Sequence, residues 1–174
     1  SNGTYTPLPS SKTTWEICVL LSFDAISAPI SLPWDFKFNG KTYKSIRISN
    51  NGFITFGKTA PESSSYSVIS DDALIDGAVA GFSSNLKNAN LFTSEISYAV
   101  VGSSFVVQFT DLQGSSSATQ KISFQIILNS TDNSVSVVYG NCVSGNATLI
   151  GEVGLKGADV SDVNNRTGTN WSST

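Results

Sequence analysis

Two Asn-Gly dipeptides constrain this chain more than any other feature. Phe38-Asn39-Gly40-Lys41-Thr42-Tyr43 is followed by Ile48-Ser49-Asn50-Asn51-Gly52-Phe53-Ile54-Thr55-Phe56-Gly57, which sets two turns between three short runs of alternating apolar and polar residues. Asn-Gly tolerates the positive φ angles that a two-residue hairpin loop demands, so both turns predict antiparallel strands folding back on each other.

The same patterning extends along the chain. Trp15 to Phe23 is the first strong apolar run. Ile30 to Phe38 places Trp34, Phe36 and Phe38 on one side and Asp35 and Lys37 on the other, while Pro29 and Pro33 point to an edge strand or a bulge. Tyr43 to Ser49, Phe53 to Phe56 and Ala78 to Phe82 continue the series, with surface loops at 58–70 and 83–92 and a short helical turn at 71–76. Glu95 to Val101 pairs with Phe105 to Asp111, and Ile122 to Asn129 with Ser134 to Tyr139; Thr148 to Lys156 is the last strand. With no helical period and no internal repeat, the expectation is an all-β protein of roughly ten strands, a two-sheet antiparallel β-sandwich, jelly-roll-like. Residues 1–14, with Pro7 and Pro9, read as an N-terminal arm, and residues 15–174 as one sandwich domain.

Composition narrows the setting. Charged residues make up 13% of the 174-residue chain, about half the roughly 25% usual for soluble domains. The polar surface is therefore built from Ser, Thr, Asn and Gly, which suits an extracellular β-protein. The net charge is −3, and Lys37, Lys41, Lys44 and Arg47 read as a solvated hairpin face. No nucleic-acid partner is expected. No run approaches the ~20 apolar residues that span a bilayer, so no membrane insertion is expected.

The chain has no histidine. That removes His-based nucleophile pairs, His-ligated zinc and the usual proton shuttle. Paired carboxylates are the remaining acid–base option, and Glu95 and Glu152 read as exposed strand positions, so no enzyme activity is expected. Asp71, Asp72 and Asp76 are the candidate calcium ligands, set against an N-capped helical turn, which their order favours; no cofactor is expected. Trp171 and Tyr66 are the candidate ligand-binding aromatics, able to stack on a sugar ring, whereas Trp15 and Trp34 read as core. Cys18 and Cys142 are separated by more than a hundred residues; a disulfide there would contribute about 4–5 kcal/mol in the chain-entropy model, and two buried thiols are the alternative.

Several ordered motifs carry a family resemblance. They include Thr4-Tyr5-Thr6-Pro7-Leu8, Phe36-Lys37-Phe38-Asn39-Gly40, Ser49-Asn50-Asn51-Gly52-Phe53, Ser94-Glu95-Ile96-Ser97-Tyr98, Val138-Tyr139-Gly140-Asn141-Cys142, Val153-Gly154-Leu155-Lys156-Gly157 and Asn164-Asn165-Arg166-Thr167-Gly168-Thr169-Asn170-Trp171-Ser172. Together they resemble a β-rich module of large secreted and cell-surface proteins of Bacteroidetes, often exported by the type IX secretion route. The resemblance implies an extracellular, non-enzymatic module attached to adhesins and degradative enzymes, with structural roles for Arg166 and Trp171; a surface glycan or protein is the expected partner. The resulting expectation is a secreted or cell-surface adhesion and interaction module. The rivals are a carbohydrate-binding module and a subunit that self-associates through an edge strand or the terminal arm.

Overall fold

The computed structural model describes residues 3–17, 24–57, 59–70, 75, 77–116, 119–143, 145, 151–157 and 162–165. Its strands are β1 (Thr13–Ile17), β2 (Ile30–Phe38), β3 (Lys41–Ser49), β4 (Phe53–Phe56), β5 (Ala78–Ser83), β6 (Leu86–Asn88), β7 (Glu95–Val101), β8 (Ser104–Gly114), β9 (Ile122–Asn129), β10 (Ser134–Tyr139), β11 (Glu152–Lys156) and β12 (Val163–Asn165). The fold class is all-β, with two antiparallel sheets of the β-sandwich type, neither closed into a barrel. No helix among the described residues is long and apolar enough to cross a membrane. The chain falls into two compact units. The first is Ser1–Leu21, Leu86–Leu149 and Ser173–Thr174; the second is Ser22–Asn85 and Ile150–Ser172.

The second unit holds the sheet ordered β12-β11-β5-β4-β3-β2. Asn39 and Gly40 take φ of 48° and 72° between paired Phe38 and Lys41, the two-residue turn that Asn-Gly predicts. β2 lies at the sheet edge, and its pairing with β3 shifts between Ser31 and Phe36, so Pro33 sits where a ladder donor is not needed. The second Asn-Gly turn differs from expectation. Ser49 pairs with Phe53, so the loop has three residues, and of these only Gly52 has positive φ, at 94°. The reason is that Asn50 and Asn51 are buried and bonded rather than exposed turn residues.

Side-chain alternation gives this sheet two apolar faces. Phe53, Ala78 and Ala80 pack with Val68, Ile69 and Ile75 from the preceding loop. The opposite face carries Ile46, Ile48, Ile54, Phe56 and Val79, all buried. The Phe56 ring sits 4.6 Å from that of Phe38, 5.1 Å from Tyr43 and 5.8 Å from Phe36, centroid to centroid. Trp15 and Trp34, expected in the core, are only half-buried; Trp34 lies in the irregular stretch of an edge strand, where packing is one-sided.

The first unit holds β1-β7-β8-β9-β10, with β6 also paired to β8. One face is lined by Ile96, Phe105, Val107, Phe109, Phe124, Ile126 and Leu128, with Phe109 and Phe124 stacked at 4.5 Å. The other face is polar at its centre. Gln108 and Gln125, cross-strand partners, are nonetheless buried.

Candidate functional site

The most distinctive surface feature arises from a defect in β8. Asp111, a non-glycine residue, takes φ of 52°, and the β8–β9 register shifts between Phe109 and Leu112. Leu112 pairs with Asn88 on one side and Ile122 on the other, while Phe109 pairs with Ile96 and Phe124. β6 and β7 therefore run along the same side of β8, and residues 89–94 loop out between them at the level of Asp111.

Hydrogen bonds fix this excursion. The Asp111 carbonyl accepts from Ala89 N at 2.8 Å and from Ser94 Oγ, and its carboxylate accepts from Thr93 Oγ1. Ser123 Oγ accepts from Asp111 N at 3.0 Å, which holds the left-handed residue in place. Within the loop, Asn90 N donates to Ser94 Oγ, Ser94 N to the Asn90 carbonyl and Phe92 N to Asn90 Oδ1. At the tip, Phe92 is 96% exposed and Leu91 53%. A phenylalanine so fully in water on a turn this constrained is unusual, because buried aromatic area is normally a main source of stability. The backbone that carries it is already ordered by these bonds, which lowers the entropic cost of presenting an anchor residue.

A second site lies on the polar face of the same unit. Gln108 Oε1 accepts from Leu8 N at 2.9 Å and from Gln125 Nε2 at 2.9 Å; Gln125 Nε2 also donates to the Thr6 carbonyl at 2.6 Å. The segment expected as an arm is thus seated on the sheet. Tyr5 packs on Gly140, where a Cβ would stand 3.1 Å from the ring carbons, and its hydroxyl bonds the Thr110 side chain. Lys12 closes the segment by pairing with Glu95, which is therefore not the freely exposed strand carboxylate expected. Glu152, in the second unit, is likewise committed. Its carboxylate accepts from Ile69 N at 2.8 Å and from Ser70 Oγ, tying the 59–70 loop to β11.

Tyr5, on this face, and Tyr139, which packs on Phe124 on the other, both lie near Cys142, and burial raises the pKa of all three groups above their ordinary values. The folded protein holds these protons more tightly than the unfolded chain. Their contribution to stability is complete below the unfolded values, about 8.5 for a thiol and 10 for a phenol, and is lost as pH rises through the higher folded ones. Denaturant midpoints should be level near neutrality and fall above about pH 8.5 to 10, with Tyr139→Phe flattening the alkaline limb. An unchanged slope in that variant would refute the assignment.

Of the residues expected to bind ligand, Tyr66 is described. It is 46% exposed, and its carbonyl accepts from Ser83 Oγ. Trp171, the calcium candidates Asp71, Asp72 and Asp76, and Cys18 lie outside the described residues. Cys142 is a half-buried thiol whose Sγ donates to the Ser123 carbonyl at 3.6 Å. Sequence reasoning missed Phe92 and the glutamine pair. The clue to Phe92 was an apolar dipeptide inside a loop of turn formers. Gln108 and Gln125 gave none, since they alternate like outward-facing positions.

Residues 1–174 match the family model described as NIDO related. The chain belongs to the NIDO-related family. No curated protein and no solved structure matches it. NIDO-related membership gives the chain an extracellular-type setting, in keeping with its low charge and its Ser-, Thr- and Asn-rich surface.

Proposed function

We propose that this chain is a non-catalytic adhesion or interaction module of a secreted or cell-surface protein, and that the 89–94 turn is its contact element. The Bacteroidetes and type IX secretion association implied by the sequence motifs belongs to this reading. The observation that carries it is Phe92, held out on a turn whose backbone donors at residues 89, 90, 92 and 94 are already bonded. Burying the tip against a partner strands none of those donors, which lowers the cost of desolvating the loop. The absence of histidine, and the structural commitments of Glu95 and Glu152, support the non-catalytic part.

A protein ligand with an apolar pocket is the partner of choice, because burying one phenylalanine contributes about 1.5–3 kcal/mol. The carbohydrate alternative rests on Tyr66, whose exposed ring lies in the polar 59–70 loop.

The test is to screen the purified chain on arrays of extracellular proteins and of glycans, with and without calcium, beside Phe92→Ala and Tyr66→Ala. Phe92→Ala should weaken protein binding about 30-fold, the equivalent of about 2 kcal/mol, while leaving stability within about 0.5 kcal/mol. Glycan binding lost on Tyr66→Ala would favour the carbohydrate reading. Silence on both arrays would overturn the proposal.

A further inference from the structure

The seating of residues 5–8 has the character of ligand recognition. Two buried glutamine side chains, adjacent across β8 and β9, read the Thr6 carbonyl and the Leu8 amide. These groups are two residues apart and point the same way in an extended chain, so the amide pair mimics the edge of a neighbouring strand. Pro7 and Pro9 bias the residues before them, Thr6 and Leu8, to extended conformations, which lowers the entropic cost of docking. The side chains of Thr6, Pro7 and Pro9 are exposed, so specificity lies in the main chain and in the Tyr5 ring against Gly140.

We propose that this face is a peptide-binding site, and that residues 5–8 of a second copy of this chain occupy it by arm exchange. Any second copy carries a segment already shown to fit. The connection to β1 is short, a turn in which Lys12 N donates to the Pro9 carbonyl at 3.0 Å. Straightening that turn sends the arm outward, and reciprocal exchange closes into a two-fold pair. The tethered arm competes at an effective concentration of order mM. Exchange is therefore a property of chains displayed densely, as on a surface, and the dilute protein is monomeric.

The test uses the full chain and a fluorescent peptide with the sequence of residues 3–12. Tyr5→Ala in the protein loosens the resident arm, so peptide affinity should rise at least tenfold over wild type. A peptide N-methylated at Leu8 lacks the donor to Gln108 and should lose that affinity with no change to the protein. Gln108→Leu with Gln125→Leu, checked for a cooperative melt, should also abolish binding. At protein concentrations near 1 mM, where the tether no longer dominates, sedimentation should show a dimer that the glutamine variant lacks. No gain with Tyr5→Ala, or undiminished binding of the N-methylated peptide, overturns the site. Peptide binding by a chain that stays monomeric at that concentration overturns the second copy as its occupant.

Discussion

Replacing Phe56 by alanine is expected to lower the unfolding free energy by about 4 kcal/mol, the centre of the range for deleting a buried phenylalanine. Phe56 is wholly buried, and its ring contacts those of Phe36, Phe38 and Tyr43. Each such pair adds about 0.5–1.5 kcal/mol beyond area burial. Relaxation cannot refill the gap cheaply, because the three neighbouring rings come from β2 and β3, whose positions are set by backbone pairing with each other. For a chain of this size the loss corresponds to a melting temperature about 8–16 °C lower. Urea titration should show a lower midpoint with an unchanged slope. A loss below about 1 kcal/mol would mean that the cluster is not the packing centre of its unit. Phe92→Ala, which removes the same side chain from a fully exposed site, is the control.

Asn51→Ala should cost about 3 kcal/mol although it removes only an amide. Asn51 is fully buried, and its Nδ2 donates to Asp24 Oδ1 at 2.9 Å and to the carbonyls of Ser63 and Ser65 at 3.4 Å. Its own carbonyl accepts from Ser84 N, while the Gly52 carbonyl accepts from Gly81 and Phe82. The turn thus joins the segment before β2, the 59–70 loop and β5. Alanine removes a buried donor that bridges three acceptors at once, one of them a carboxylate, and a hydrogen bond to a charged group is worth about 1.5–3 kcal/mol. Proteolysis within residues 59–65 should accelerate in the variant, as the loop loses its anchor. Unchanged stability and unchanged cleavage would show that water replaces the amide without cost.

Much of this architecture was legible because its strands are long and follow their turns closely. Ile30 to Phe38, Glu95 to Val101, Ile122 to Asn129 and Ser134 to Tyr139 match the observed strands residue for residue. β6 and β12 escaped notice, since three residues cannot display a period. The 50–52 turn was legible as a turn but not as a buried hub. A single sequence shows that Asn-Gly bends the chain, not which other segments its amides will meet. The 89–94 turn was hidden for a related reason. It depends on Asp111 adopting a left-handed backbone, which nothing in Thr110-Asp111-Leu112 announces. The glutamine clamp required knowing that residues 5–8 return to a face of β8 and β9 more than 90 positions later.

The strand order also dictates a sequence of events in folding. β2 to β5 and β7 to β10 are each successive neighbours, so both stretches assemble through antiparallel pairs close in sequence, the longest closure being the 21 residues between β4 and β5. β11 is different: it pairs with β5, and nearly seventy residues intervene between Ser83 and Glu152. Until that late strand arrives, β5 presents an open backbone edge formed by Ala78-Val79-Ala80-Gly81-Phe82, uncharged and apolar. Such an edge is a template for pairing with other chains. The interval between completion of the second hairpin series and docking of β11 is therefore the window in which this protein is most prone to aggregate, and a chaperone acting on it would have most to protect at that edge.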